Sequence, residues 1–421
     1  MKFFAYTQPG IGHLYPIVEP LAELRRRGHD VTIMTLAEEV DRLSSYGFAA
    51  IPVDERVHDI PIEDWKKKTP LAALKDSVSA LAARAAVEVP SVTHALEDHQ
   101  PDVLFIDSTS WGAALVAEES GLPWLYAQHY PLPLPSRDAP PFGLGLKPRS
   151  DAVGRIRDGI AAQISLRALE KIVLNRLNPL RRQQGLAPFT SVDDVYLAAH
   201  ELLAFTAPPF EYERSDWPDK IHMVGPGTWD PPTDAPGWLD EIEVPLILVG
   251  CSSQFQNDGK LVSAAVEAFG EDDDVHVVVT TAGVDPNEFG APANFTIRSL
   301  VPHTPVLKRA ACVVCHGGMG ITQKALSFGV PVCAVPFGRD QFEVARRVES
   351  CGAGVRLPAR RLNARSLRQS VAEARMKKAR AESVAEELRS TGGPSAAADI
   401  LERVAGIEKE HGRGNQSLTA L

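Results

Sequence analysis

The sequence predicts an α/β protein built as two doubly wound parallel-sheet halves facing each other across a cleft. Three observations carry that expectation. Short β-branched runs alternate with longer amphipathic stretches, the pattern of parallel strands returned by helices. The alternation stops at a Pro- and Gly-dense segment, "VGPGTWDPPTDAPG" at 224–237, and then starts afresh. The length of 421 residues is too great for one such unit and suits two. Two units joined by one linker set the carboxyl edges of their sheets against a shared crevice. The predicted division is a first domain over 1–223, a linker over 224–240, a second domain over 241–395, and a C-terminal helix and frayed tail over 396–421.

In the first half, "MKFFAYT" is the opening strand, Gly10 to Gly28 a loop and helix, and "HDVTIMTL" the second strand. Pro20, Leu21 and Leu24 give that helix an apolar side, and "RRRG" ends it with cations and a glycine. Within 70–98, Leu71, Leu74, Val78 and Leu81 recur at helical spacing. "DVLFID" at 102–107 is a strand, "WGAALVAEES" a helix closed by Gly121, and "PWLYAQ" a further strand. The stretch 129–150 is dense in proline, which central strands and helix interiors exclude, so it reads as a long surface loop suited to ligand contacts. A helix over 152–183 and the run "ELLAFTAP" at 201–208 complete this half. In the second half "LILVGCS", "HVVVTTA", "FTIRSL", "CVVCHGG", "VPVCAVPF" and "AGVRL" are strands with helices between. The basic residues around 360–380 read as the solvated face of a helix.

Composition narrows the function. Lys plus Arg number 44 against 54 Asp plus Glu, for a net charge of −10. Such a chain lacks the footprint of a nucleic-acid binder, and any anionic ligand has to be held by local devices such as helix N-termini. Apolar runs such as "VPLILVG" at 244–250 fall far short of the roughly 18–20 residues of a membrane span, and "MKFFAYTQPG" reads as a strand and turn rather than a signal peptide. Five cysteines, an odd number, point to a reducing, cytoplasmic setting. Cys312 and Cys315 form a CxxC inside a buried-strand pattern with no second pair nearby, so they read as core rather than zinc ligands.

The strongest local signal is "CVVCHGGMGITQKALSFGVPVCAVPFGRDQ" at 312–341. A strand runs into a glycine-rich turn and a helix starts near Gly320. Glycines there let backbone approach a ligand, and the helix start presents free N–H groups to an anion. His316 can donate to a phosphate oxygen and Thr322 can add a hydroxyl.

This stretch resembles the nucleotide-diphosphate-sugar motif of the GT-B glycosyltransferases that act on macrolides, other natural products and plant metabolites. The matching features are the His, its two glycines, "GVP" at 329–331, Pro336, and Asp340-Gln341. The resemblance implies two Rossmann-like domains, with His316 and the amides of Gly317, Gly318 and Gly320 on the diphosphate and Thr322 assisting. Asp340 and Gln341 would take the hydroxyls of the donor sugar. "LILVGCSSQFQND" at 246–258 is similar to the family's hydroxyl-bearing loop, which puts Ser252 or Ser253 near the phosphates. "SLVPHTPVL" at 299–307 resembles the loop that receives the base, with Val301 giving backbone contacts. "GGPSAAADILERV" matches a closing helix that returns to the first domain. Two departures stand out: Leu300 where many relatives have an aromatic, and Lys324 where many have a Glu that accepts from ribose. Lys324 leans toward the diphosphate or points to solvent in this reading, and either way UDP and dTDP are weakly distinguished.

In "PGIGHLYPIVEPL", His13 falls on the turn after the first strand, at a carboxyl edge facing the cleft. The matching His of the family is the general base that deprotonates the acceptor. An imidazole suits that work near neutral pH and needs a carboxylate to orient it. Asp107, which ends "DVLFID", matches the partner acid; Asp102, at the other end of the strand, is the weaker choice. The resemblance therefore implies an inverting, hexosyl-type transferase that uses a UDP- or dTDP-sugar as co-substrate, with no metal and no other cofactor. The acceptor would be an apolar hydroxylated small molecule, its pocket shaped by the 129–150 loop and the "WKKKTP" region. No nucleic-acid or membrane partner is implied, and a homodimer is compatible. Two rival readings share the architecture: a nucleotide-sugar epimerase and a non-catalytic nucleotide-sugar binder.

Overall fold

A computed structural model describes residues 1–406 in full and the backbone of 407–416; the frayed tail expected over 411–421 lies outside the fully described residues. The chain forms two wholly parallel sheets. The first contains β1 (Lys2–Tyr6), β2 (Asp30–Thr35), β3 (Ala49–Pro52), β4 (Val103–Asp107), β5 (Trp124–Gln128), β6 (Glu201–Ala204) and β7 (Ile221–Met223), in the order β3-β2-β1-β4-β5-β6-β7. The second contains β8 (Leu246–Gly250), β9 (His276–Thr280), β10 (Phe295–Arg298), β11 (Ala310–Cys315), β12 (Val332–Ala334) and β13 (Gly354–Arg356), in the order β10-β9-β8-β11-β12-β13. Edge strands β3 and β7 were not legible beforehand, because "AAIP" and "IHM" are short and half-exposed.

Each sheet reverses its strand order once, between β1 and β4 and between β8 and β11. At such a reversal the flanking helices leave to opposite faces and a crevice opens at the carboxyl ends. His13 and Asp107 follow and end the strands at the first reversal; Ser252 and His316 follow those at the second. Central strands are buried on both faces, as in "LILVG" of β8 and "VLFID" of β4, so their near-continuous apolar runs were readable.

The long helices begin at side-chain caps. Thr69 accepts from Ala72 N ahead of Pro70–His99, and Asp151 accepts from Gly154 N ahead of Ala152–Gln183. The single basic helix expected around 360–380 is two, Ala364–Arg375 and Lys378–Arg389. Of its cations, Arg368 is engaged by Asp272 and the Ala268 carbonyl. The last helix starts at Gly393, and its Ala397, Leu401 and Val404 share one core with Leu14, Ile17 and Leu21. The 129–150 loop carries no helix or strand and docks on the helix Gln341–Ser350. Glu343 accepts from Gly143 N at 2.9 Å and Gly145 N at 2.7 Å, while Arg347 joins Glu343 to Glu211. The five cysteines are buried and unbridged. Among the described residues no helix is long and apolar enough to cross a membrane.

Candidate active site

Gly10, extended at φ −176°, caps the helix Ile11–Arg26. His13 therefore lies in the first helical turn and not on the turn before it. The Gly10 carbonyl already accepts from His13 N at 2.9 Å and Leu14 N at 3.1 Å, which closes the helix that early. Across the switch point, His13 Nδ1 stands 2.7 Å from Asp107 Oδ2. A carboxylate only accepts, so the ring proton sits on Nδ1 and Nε2 is the basic nitrogen. Asp107 takes three further donors: Gln8 N at 3.2 Å, and Thr109 N and Oγ1, each at 2.8 Å. Burial works to raise its pKa, but His13 and His129 beside it hold the carboxyl well below the usual carboxylate range. Asp102, at the far edge of the sheet, accepts from Lys2 N instead.

Two neighbours of this pair were not singled out from the sequence. His129 follows β5 directly and meets His13 edge-to-face, with ring centroids 4.3 Å apart. Burial pushes His129 down to about 4, so the ring is neutral, and neither of its nitrogens has a hydrogen-bond partner among the described residues. Ligand atoms of His13, Asp107 and His129 lie within 4.8 Å of one another, a spacing a metal ion can span. Asp107 is already committed to His13 and three other donors, the arrangement of an anion that orients a base. Glu88 stands behind the pair. It accepts from Gln8 Nε2 at 2.6 Å and Gly112 N at 2.7 Å, and Gln8 Oε1 accepts from Arg84 at 2.8 Å. Burial pushes Glu88 up to about 7, against the Gly112 and Ala113 amides. Gly112 has to be glycine: a Cβ there would stand 2.5 Å from the Ala85 carbonyl. The readable signals were a histidine at a strand's carboxyl end and a carboxylate on the apolar face of a helix.

On the opposite sheet, Gly318 caps the helix Met319–Ser327, with Gly320 in its first turn beside open space. A side chain at Gly318 would run into His316 Nε2 at 2.3 Å, so that nitrogen lies over the helix start. His316 Nδ1 is 3.4 Å from the Gly250 carbonyl and 3.9 Å from Asp258. Burial holds the His316 imidazole below the ordinary range, and Arg339 adds to the effect. Gly317 has φ 83°, open to glycine at little cost. Ser252 is buried, its amide on Asp258 at 2.7 Å and its hydroxyl accepting from Gln254 N at 3.3 Å. Ser253 is exposed and faces Gly12 across the cleft. Val301 is buried under an exposed Leu300.

Several expected donor contacts are placed otherwise. Thr322 is fully buried, with its hydroxyl on Cys315 Sγ at 3.5 Å, because its helical position points it back at β11. Gln341 turns its carboxamide onto Phe337 N at 2.8 Å, Gly338 N at 3.1 Å and Gln256, so it braces the loop before its own helix. Asp340 is half-buried, with no side-chain hydrogen bond among the described residues, and burial raises its pKa. Lys324 neither leans to the diphosphate turn nor reaches solvent. It pairs with Asp230 of the linker and donates to the Trp229 carbonyl at 3.1 Å, while Asp230 also accepts from Thr304 N at 2.8 Å.

Two facing parallel sheets, a His–Asp pair at one switch point and a glycine-rich helix start at the other, define the GT-B class of nucleotide-sugar-dependent glycosyltransferases. Residues 264–404 match the family model described as "Erythromycin biosynthesis protein CIII-like, C-terminal domain". The chain is 30% identical over 381 residues to 4'-demethylrebeccamycin synthase of Lentzea aerocolonigenes, covering 87% of this chain and 89% of that one. It is 27% identical over 427 residues to demethyllactenocin mycarosyltransferase of Streptomyces fradiae, covering 94% and 85%. A spinosyn rhamnosyltransferase complexed with spinosyn aglycone superposes with a TM-score of 0.72 at 18% identity, covering 96% of this chain and 100% of that one, and the same enzyme has been solved with thymidine diphosphate. The chain belongs to the family of GT-B natural-product glycosyltransferases. Its relatives favour sugar transfer over the epimerase and binder readings.

Proposed function

We propose that this glycosyltransferase inverts: it moves a sugar from a nucleotide diphosphate to a hydroxyl of an apolar natural-product acceptor, with His13 as the general base. The observation that carries the reading is the 2.7 Å contact of His13 Nδ1 with Asp107, which leaves Nε2 basic and facing the second domain. His13 Nε2 takes the hydroxyl proton as the acceptor oxygen bonds to the anomeric carbon. The bond from that carbon to the diphosphate oxygen breaks on the opposite face, and Asp107 stabilises the imidazolium. The departing nucleoside diphosphate is held by His316 and the amides of the helix start at Gly317, Gly318 and Gly320. Asp340, with its free carboxylate, is the better candidate for a sugar hydroxyl; Ser252, Ser253 and Val301 flank the nucleotide. No metal or separate cofactor enters this scheme.

The thymidine diphosphate complex of the spinosyn enzyme supports a dTDP-sugar donor, and the relatives named for rebeccamycin and lactenocin chemistry support an antibiotic-type aglycone. Five unbridged thiols support a cytoplasmic setting. The test is incubation with UDP- and dTDP-sugars and a panel of macrolide, polyketide and phenolic acceptors, read by mass spectrometry and by NMR of the anomeric centre. A product heavier by one sugar residue and of inverted configuration is expected. Isomerised donor with no sugar on any acceptor, or retained configuration, would refute the reading.

A further inference from the structure

One residue of the second domain already occupies the nitrogen this scheme needs. Gln254, in the loop after β8, places its Nε2 3.3 Å from His13 Nε2. Chemistry fixes which way its carboxamide points. Gln254 Oε1 lies 3.1 Å from an Arg339 nitrogen, and a guanidinium only donates, so the oxygen faces Arg339 and the NH₂ faces His13. His13 Nε2 is the acceptor in that contact, because Asp107 holds the proton on Nδ1. An aromatic ring nitrogen has one lone pair. The Gln254 amide and an acceptor hydroxyl cannot both use it.

Gln254 is held in place across the cleft. Arg339 forms a two-pronged ion pair with Asp64 of the first domain, at 2.8 and 2.7 Å, while its remaining nitrogen grips Gln254. Arg339 has φ 54°, a left-handed conformation that a non-glycine residue keeps only where its surroundings hold it. At the same junction Trp65 and Phe255, neighbours of Asp64 and Gln254, meet edge-to-face with centroids 5.0 Å apart. Arg339 also lies two residues before Gln341, whose carbonyl would stand 3.2 Å from a Cβ at Gly317, so its segment runs beside the Gly317–Gly318 turn. A diphosphate over the Gly317–Gly318 turn would therefore come within reach of a planar guanidinium whose fork suits phosphate oxygens as well as a carboxylate.

We propose that Gln254 and Arg339 form a donor-operated gate on His13: nucleotide diphosphate draws Arg339 away from Asp64 and Gln254, and Gln254 then releases the lone pair that receives the acceptor proton. The proposal rests on the transferase reading above and adds an order to it, donor before acceptor. Gln254 and Arg339 are positioning residues in this account, since neither touches the reacting atoms.

The test uses full-length protein labelled with ¹⁵N-histidine, the His13 ring signals being those lost in His13→Asn. UDP and dTDP are titrated separately into wild type, Gln254→Met and Asp64→Asn, with calorimetry on the same samples. Gln254→Met keeps the side-chain length and removes the donor; Asp64→Asn loosens Arg339 without touching the ring. Before nucleotide, both variants should show His13 signals displaced from wild type in the direction nucleotide moves them. Saturating nucleotide should then shift the Gln254→Met signals at least threefold less than the wild-type ones. Identical His13 signals in all three proteins before nucleotide, or equal nucleotide shifts in all three, would overturn the gate. Binding of neither nucleotide by calorimetry would overturn the donor reading itself and the trigger with it, a result distinguishable from binding without a shift at His13.

Discussion

Asp107 Oδ2 and His13 Nδ1 lie 2.7 Å apart although 94 residues separate them, because β1 and β4 are neighbours at the first sheet's reversal point. The geometry assigns one ring nitrogen to the carboxylate and leaves the other toward the second domain. Removing the base should therefore slow turnover without weakening donor binding. We expect His13→Ala to lower kcat by about 10²–10⁴ while calorimetry finds UDP and dTDP bound no more weakly than by wild type. Asp107→Asn should also slow turnover, since an amide NH₂ cannot accept from His13 Nδ1 and favours the wrong tautomer. Wild-type kcat in either variant removes that residue from the mechanism.

His316 has a different signature. Its Nδ1 faces the Gly250 carbonyl, which only accepts, and burial keeps the ring neutral, so Nε2 over the helix start carries no proton. Donating to a phosphate oxygen requires the ring to gain one. Nucleoside diphosphate binding should accordingly take up protons, visible as a dependence of calorimetric heat on buffer ionisation, and should weaken as pH rises. His316→Ala should lower affinity about 10- to 150-fold, the range of a hydrogen bond to a charged group worth roughly 1.5–3 kcal/mol. Unchanged affinity with no proton uptake would reduce the turn to a structural one.

Lys324 is spent on the linker, so it offers nothing to a ribose. UDP and dTDP affinities should agree within about tenfold, or 1.4 kcal/mol, when measured under the same salt. Its pairing with Asp230 makes a second expectation. Lys324→Met leaves the Asp230 carboxylate without its ammonium and should destabilise by about 3–5 kcal/mol. Adding Asp230→Asn should restore much of the loss. Additive effects in that double-mutant cycle would show that the pair is not coupled.

Glu88 sets a pH dependence of stability whose sign can be worked out. Its folded pKa is raised to about 7, above the ordinary carboxylate value of 4.5. The folded state thus holds a proton that the unfolded chain releases, and the stabilisation present below 4.5 is lost as pH rises through 7. Glu88→Gln cannot lose a proton, so its stability relative to wild type should improve by about 3 kcal/mol between pH 4.5 and pH 8. Unfolding curves at the two pH values check this. A difference that stays constant across the range would mean Glu88 does not titrate there.

Much of the fold was legible because its signals are local. The apolar runs of β4, β8 and β11, the helical spacing of Leu71, Leu74, Val78 and Leu81, and the Pro-Gly linker each declare themselves within a few residues. His13, Asp107 and His316 were readable for the same reason: each sits where a buried strand ends, and in a parallel sheet every such end lies on one edge. The side-chain contacts of Thr322 and Gln341 were not legible in the same way. Helix phase turns Thr322 toward Cys315, and the amides of Phe337 and Gly338 claim the Gln341 carboxamide.

The sequence by itself determined two parallel-sheet domains, the edge of each that faces the other, and the histidines and glycines standing on those edges. Periodicity and strand ends are properties of neighbouring residues, so no long-range information was needed for them. Only the tertiary structure decided which side chains meet: His129 against His13, Glu88 behind Asp107, Lys324 on Asp230, and Gln254 on His13 under the hold of Arg339 and Asp64. Hydrogen bonds are short and directional, and these partners are brought within range by strand order and by closure of one domain on the other. A residue type and its local pattern cannot express that choice. Gln254 and His13 are 241 residues apart, and nothing shorter than the whole fold puts an amide on that nitrogen.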